Sequence, residues 1–435
     1  MFIGFFSLNY IVKILFFDII YIPSYILHYK SIFFKGFLKS LAIQEEFFVN
    51  ICGIICEYNP FHNGHKYQIE HTREILGEDT LIVCLMSGNY VQRGEAALYH
   101  KNIRAKAAVL EGADVVLELP LPYALSSAEG FARGAVDILS KIGCTHLSFG
   151  AEDDNVDSLK EIAQLLLEKS TIDATLANMT SGISYAVARE KAVFAQIKEK
   201  ASLLKSPNNI LAIEYIKAII SLESNMIPVA VKRMGAGHDT GDVVENTASA
   251  TLIRQLVRAG ENADNLMPSK AAELFKSAPV HRINDDIIMS HLIRLSVDDI
   301  RQFSDVSEGL EYRIFDAIQT SFTFDEVCEK AKSKRYAHAR IRRILMNAFL
   351  DIKKADVPDS YPYVKLLAFT EKARTLLADN RENESIKVIT KPAHIRDMDE
   401  KANRLLDMEV RASRLYHMFG SGVYINEFKS PEFVK

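Results

Sequence analysis

Between residues 51 and 233, five short apolar, β-prone runs alternate with helix-permissive stretches, and that rhythm constrains the fold more than any other feature. The runs are Ile51–Cys56, Thr80–Met86, Asp114–Leu119, Thr145–Phe149 and Ile227–Arg233. Helical patterns occupy Gly64–Leu76, Asn102–Gly112 and Ser126–Lys141, and others follow Asn208-Asn209 and start near Ala250. Strands separated by helices predict an α/β fold with a parallel sheet covered on both faces. Ligands of such sheets bind beyond the carboxyl ends of the strands. His62-Asn63-Gly64-His65, Ser87-Gly88-Asn89 and Gly150 all fall at such ends, so they are expected to line one crevice.

The first of these ends carries the most chemistry. An apolar run, a short polar loop and a glycine opening a helical pattern bring two imidazoles to a helix N-terminus, where free N–H groups and the dipole favour anions. Gly64 lets a ligand approach the backbone, and His62 and His65 are donors suited to the charge that grows during phosphoryl or nucleotidyl transfer. The competing reading is a turn with two surface histidines. Farther on, Ser249 is placed to cap a helix, with Thr251 and Arg254 ready to hold phosphate oxygens; the plain alternative is a capped helix with a surface arginine.

The chain is 435 residues long, enough for two or three domains, and its net charge of −4 means a polyanion must be held by a local patch. Five cysteines without a CxxC pair fit a reducing cytoplasm, and Cys52 and Cys56 read as buried thiols in a strand although their spacing resembles a metal pair. Residues 1–48 hold 14 of the 41 Phe and Tyr. Lys13, Asp18 and Pro23 interrupt them as a membrane anchor, and they lack the basic start and cleavage site of a secretory signal. The favoured reading is translated upstream sequence, with Val49 at a GTG start codon.

Residues 49–260 are therefore assigned to the α/β domain and 261–435 to a mainly helical region in which strands fade. Within the latter, the tract 330–343 holds seven Lys or Arg and no acid. It is either a solvated face or an RNA-binding one, the aromatic Tyr336 and His338 beside Arg340 and Arg343 suiting the second.

The motifs together resemble the HIGH-type nucleotidyltransferase superfamily. Its HxGH is matched by His62-Asn63-Gly64-His65, and its S-S-T-x-I-R by Ser249-Ala250-Thr251-Leu252-Ile253-Arg254, with Ala250 in place of one serine. More closely, residues 49–435 resemble the bacterial tRNA(Met) cytidine acetate ligase family. The blocks that carry this are Gly53 to His65, Ser87 to Gly94, Gly112 to Pro120, Ser206 to Leu211 and the basic tract. Residues 1–48 match nothing in it.

The resemblance implies a Rossmann-like nucleotidyltransferase domain followed by a helical tRNA-binding region. It implies activation of acetate by ATP as acetyl-adenylate, then acetyl transfer to the exocyclic amine of the wobble cytidine of elongator tRNA(Met). It matches an ATP site to Ile55, Cys56, Glu57, Tyr58, Asn59, Pro60, Phe61, His62, Asn63, Gly64, His65, Lys66, Tyr67 and Gln68, with Gly150, Asn208 and Arg233. Asn209 competes with Asn208 for that contact. His62, His65, Thr251 and Arg254 are expected to be catalytic, and Lys332, Lys334, Arg335, Arg340 and Arg343 to bind tRNA. Arg93 or Lys101 is available to orient acetate or tRNA, or is a surface charge. Magnesium is expected as ATP's companion, and no carboxylate cluster marks a metal site of the protein's own. The rivals are a small-molecule adenylyltransferase, which has no use for the basic tract, and an inactive RNA-binding relative, which has no use for two intact histidines.

Overall fold

In the computed structural model, the residues described are 50–179, 183–233, 246–307, 309–391, 393–396, 398–419, 426–427 and 429–435. The expectations for residues 1–48 and for Val49 lie outside them.

The first strand, β1 (Ile51–Cys56), leads through a loop into α1 (Asn63–Leu76), followed by β2 (Leu81–Ser87). A small ribbon of β3 (Tyr90–Val91) and β4 (Glu95–Ala96) precedes α2 (Lys101–Leu110), β5 (Val115–Leu119), α3 (Ala128–Ile142) and β6 (His146–Ala151). Helices α4 (Val156–Leu167), α5 (Lys169–Met179), α6 (Tyr185–Ile197) and α7 (Pro207–Ser221) separate β6 from β7 (Ile227–Lys232). Asn208 and Asn209 thus lie inside the first turn of α7, which starts at Pro207, before them and not after them as the sequence pattern suggested.

With two late strands, β8 (Tyr363–Thr370) and β10 (Glu432–Val434), the sheet runs β10-β8-β5-β2-β1-β6-β7, and β1, β2, β5, β6 and β7 are mutually parallel. Alternation along β2 builds both cores. Leu81, Val83 and Leu85 face α3 through Phe131, Ala135 and Leu139, whereas Ile82, Cys84 and Met86 join Ile69 of α1 and Ala105 and Ala108 of α2. The strand order reverses between β1 and β6, which opens a crevice at their carboxyl ends.

The region after residue 261 corrects the expectation that strands fade. It begins with helices, including α8 (Ala250–Ala259) at its border, α9 (Ser269–Lys276), α10 (Asp285–Leu292), α11 (Leu310–Gln319), α12 (Phe324–Ala331) and α13 (His338–Leu350). Then β8 (Tyr363–Thr370) enters the central sheet antiparallel to β5, with β9 (Lys387–Ile389) and, after α14 (Glu400–Met418), β10 (Glu432–Val434) pairing with β8. Lys365 interrupts the apolar pattern of β8. It is tolerated because its amine lies 2.5–3.0 Å from Glu118, Glu409 and Glu427. Residues 50–435 consequently form one unit.

Candidate active site

The loop after β1 is held open by a buried cation. Arg104 of α2 has no exposed surface, and its guanidinium donates to the carbonyls of Tyr99, Glu57, Ser87 and Gly88, fastening together the ends of β1 and β2. Tyr58 turns the chain with φ +46°, and the Asn59 side chain accepts the Leu98 N–H at 2.7 Å. The turn is thereby fixed before α1 begins.

His62 is the N-cap of α1. Its Nδ1 accepts the N–H of Gly64 at 3.1 Å, while His65 Nδ1 accepts the N–H of His62 at 3.2 Å, a reciprocal cap with the rings stacked 3.6 Å apart. The Gly64 N–H expected to meet phosphate is therefore already satisfied by His62. The cap has a chemical consequence. With each Nδ1 accepting, the proton of each neutral imidazole sits on Nε2, so both rings present donors. Burial, then the charges of Arg233 and Arg254, pull the His62 pKa down to about 3. Burial, then His62 and Arg233, push that of His65 well below its usual value. Both are neutral donors at neutral pH.

The second motif meets the first across the crevice. Ser249 caps α8 through the Leu252 N–H at 3.2 Å, as its position predicts. One turn on, Arg254 donates to the Asn59 carbonyl at 2.9 Å and to Thr251 Oγ1 at 3.2 Å.

These groups line one cavity of about 370 Å3, within the size range of small-ligand sites. Its wall includes Ile55, Cys56, Glu57, Tyr58, Asn59, His62, His65, Gln68, Gly150, Asn208, Arg233, Thr251 and Arg254. The expected residues Pro60, Phe61, Asn63, Gly64, Lys66 and Tyr67 are not among its lining residues, and neither are Ser87, Gly88 and Asn89, expected in the same crevice. Phe61 is core, Asn63 donates to the carbonyls of Asn246 and Asn265, and Lys66 reaches Glu111 at 3.1 Å. Of the two asparagines, Asn208 lines the cavity and its Nδ2 donates to Glu152 at 2.6 Å, whereas Asn209 accepts the N–H groups of Glu152 and Asp153.

Apart from Arg93, Ser249 and Ala250, which the sequence had offered, the remaining walls escaped sequence reasoning. Ala128, Phe131, Phe149, Leu211 and Tyr215 supply an apolar side, legible only as core positions of helices until the sheet brings them together. The ribbon tip Gln92-Arg93 and Glu95 supply a polar edge. Three arginines, Arg93, Arg233 and Arg254, face two carboxylates, Glu57 and Glu95, so with neutral histidines the lining is net cationic and suits a polyphosphate. Among the described residues no group of three or more His, Cys, Asp or Glu is placed to hold a metal ion.

Lys101 does not serve the crevice. It is 2% exposed and bound to Glu118 and Glu427, which corrects its expected availability to acetate or tRNA. The basic tract lies close to the ribbon. Gly94 packs so tightly on the backbone of Arg342 and Arg343 that an added Cβ would meet it at 2.5–2.7 Å, and Arg342 is 3.8 Å from Glu95. Part of the tract is spoken for within the fold: Arg340 donates to the Asp305 carbonyl, Arg343 to the Asp305 carboxylate, and Lys332 pairs with Glu329. Lys334 is exposed, and Arg335 half-buried. The cysteines are free and buried, with burial raising Cys52 to about 12 and Cys56 well above its usual value.

A strand-turn-helix carrying HxGH, opposed by a Thr and an Arg at a second helix start, defines a nucleotidyltransferase site, and residues 49–430 match the family described as HIGH Nucleotidyl Transferase. The chain belongs to that family. It is 36% identical over 415 residues to the tRNA(Met) cytidine acetate ligase of Acetivibrio thermocellus, covering 89% of this chain and 97% of the relative. The protein of the same name from Clostridium novyi is 35% identical over 407 residues, covering 89% and 100%. The crystal structure of apo Thermotoga maritima TmcAL superposes with TM-score 0.83 at 29% identity, and the form bound with alpha-thio ATP with 0.81 at 28%, each covering 89% of this chain and 100% of the other.

Proposed function

We propose that the protein is an ATP-dependent ligase that activates acetate as acetyl-adenylate and acetylates the wobble cytidine of elongator tRNA(Met) to N4-acetylcytidine, releasing AMP and pyrophosphate. The observation that carries this reading is the single cavity uniting His62, His65, Thr251, Arg254, Asn208 and Arg233, in a chain that matches the named relatives along nearly their whole length. The small-molecule adenylyltransferase reading is not favoured by those relatives.

Acetate is a weak nucleophile and the α-phosphate is anionic, so the enzyme works by positioning and neutralisation. In this reading the Nε2–H groups of His62 and His65 donate to the α-phosphate oxygens as charge develops there. Thr251 and Arg254 hold the departing pyrophosphate, and Arg233 and Asn208 hold the nucleotide. Acetate's carboxylate attacks phosphorus, and the bond to the β-phosphate oxygen breaks. The apolar wall of Phe131, Leu211 and Tyr215 shelters the mixed anhydride from water.

The region after residue 261 is the tRNA platform, acting in the cytoplasm. Its support is the packing of α13 on the ribbon whose tip lines the cavity. Among the described residues no helix is long and apolar enough to cross a membrane. The test is ATP–pyrophosphate exchange with and without acetate, followed by addition of tRNA(Met) and analysis of its nucleosides. Acetate-dependent exchange and N4-acetylcytidine are expected; exchange indifferent to acetate would overturn the reading.

A further inference from the structure

The cavity contains a carboxylate, Glu57, expected at the ATP site, to which the activation steps above assign no chemical role. Glu57 follows β1, its Oε1 accepts the Gln92 N–H at 2.9 Å, and its side chain lines the cavity in which His62, His65 and Arg254 stand. It interacts electrostatically with Arg254 and Arg93 and also with Tyr215 of the apolar wall. Glu57, Arg254 and Tyr215 thus line the same cavity, which also holds the wall against which a planar base would pack.

The second half-reaction needs such a group. The lone pair of a cytidine's exocyclic amine is delocalised into the ring, so the amine attacks a carbonyl only as its proton leaves. The cavity's other titratable groups suit that proton less well, the Cys56 thiol and Tyr58 phenol being held protonated chiefly by burial. His62 and His65 each commit Nδ1 to a backbone N–H and present Nε2–H, so as neutral rings they donate. The Tyr215 phenol is held protonated by burial and by Glu57 itself. Glu95 is drawn toward Arg342 at the rim.

Resting on the function proposed above, we infer that Glu57 is the general base of acetyl transfer. The cytidine N4 forms a bond to the carbonyl carbon of acetyl-adenylate, the bond from that carbon to the phosphate oxygen breaks, AMP leaves with the electron pair, and the N4 proton passes to the Glu57 carboxylate. Burial raises the Glu57 pKa above the ordinary carboxylate value, opposed by the Gln92 N–H and then by Arg254 and Arg93. A raised value brings a carboxylate closer to the operating range of a base.

The test separates the half-reactions in the full chain. Glu57→Gln keeps the shape and the Gln92 contact but removes the proton acceptor. Acetate-dependent ATP–pyrophosphate exchange and single-turnover acetyl transfer to tRNA(Met) are measured for the wild type, E57Q and E57D across pH 5.5 to 8.5. Transfer by E57Q should fall on the order of 100-fold further than exchange, within the usual range for losing a general base. The rising limb of the wild-type transfer profile should vanish in E57Q, and E57D should recover part of the rate. Equal losses in both half-reactions, or transfer by E57Q that keeps the wild-type pH profile, would overturn the assignment. Absence of acetate-dependent exchange or acetyl transfer in the wild type would instead overturn the proposed function.

Discussion

Arg254 Nη1 donates to the backbone carbonyl of Asn59 at 2.9 Å, joining two motifs 195 residues apart in the sequence. The second nitrogen meets Thr251, so one planar fork sets the distance between the HxGH turn and the start of α8. Lysine cannot reproduce a two-nitrogen fork. Arg254→Lys should therefore lower acetate-dependent exchange nearly as much as Arg254→Ala, by about 100-fold or more, the scale of a lost transition-state donor. Initial-rate kinetics of exchange check this, and near-normal rates in R254K would count against the fork.

The buried histidines make stability depend on pH in a defined direction. His62 drops to about 3, His281 to about 4, and His65 also lies well below 6.5, in each case chiefly through burial. Below pH 6.5 the unfolded chain takes up protons that the native state refuses. Stability present at pH 7.5 is therefore lost progressively as pH falls from 6.5 toward the folded values. The loss at pH 5 should be up to about 2 kcal/mol per histidine. Urea unfolding at pH 7.5 and 5 should show a smaller loss for H62N/H65N than for the wild type.

Lys101, Lys365, Glu118, Glu409 and Glu427 form a buried charge cluster joining α2, β5, β8, α14 and the segment before β10. Lys101→Met removes one of two cations facing three carboxylates. Breaking a buried pair from one side costs about 3–5 kcal/mol, so urea unfolding should shift by that amount. A shift below about 1 kcal/mol, the range of a surface pair, would contradict the cluster's structural role.

Gly94 has φ +72° and abuts the backbone of Arg342 and Arg343. Alanine there is strained twice, by its dihedral and by the contact. Gly94→Ala should destabilise by about 2–4 kcal/mol, read from urea midpoints, because neither the ribbon tip nor α13 can give way without breaking backbone hydrogen bonds.

Arg340 and Arg343 are tied to Asp305, so their loss should cost stability as well as tRNA affinity. K332A/K334A/R335A should weaken tRNA(Met) binding and flatten its dependence on salt while leaving ATP affinity near the wild-type value. Filter binding across a salt series measures both, and an unchanged tRNA affinity removes these three side chains from the interface.

Much of this was legible because the first half of the site lies within one strand, turn and helix start. Periodicity placed β1, β2, β5, β6 and β7 within two residues, and the chemistry of two imidazoles beside glycine pointed to phosphate. That the Ser249 to Arg254 segment would meet the turn came from the resemblance, residue types alone leaving a plain capped helix open, and Arg254 makes the join. What escaped has a common cause: long-range compensation. A lysine inside β8 looks like a break in a strand until its three carboxylates are seen. Lys101 looks like a surface charge until β10's leading segment covers it. The Gly64 N–H looked free because nothing in sequence shows an imidazole turning back to cap its own helix. Likewise the apolar wall unites α3, β6 and α7, whose residues read singly as core.

The central claim is that one cavity first activates acetate and then delivers it to a tRNA cytidine. Its most direct test is a single-turnover experiment with radiolabelled acetate, ATP and tRNA(Met), following pyrophosphate release and label on the nucleic acid. The account predicts acetate-dependent pyrophosphate release followed by label recovered as N4-acetylcytidine, both lost in H65A. Label that never leaves the adenylate, or pyrophosphate release without acetate, would contradict it.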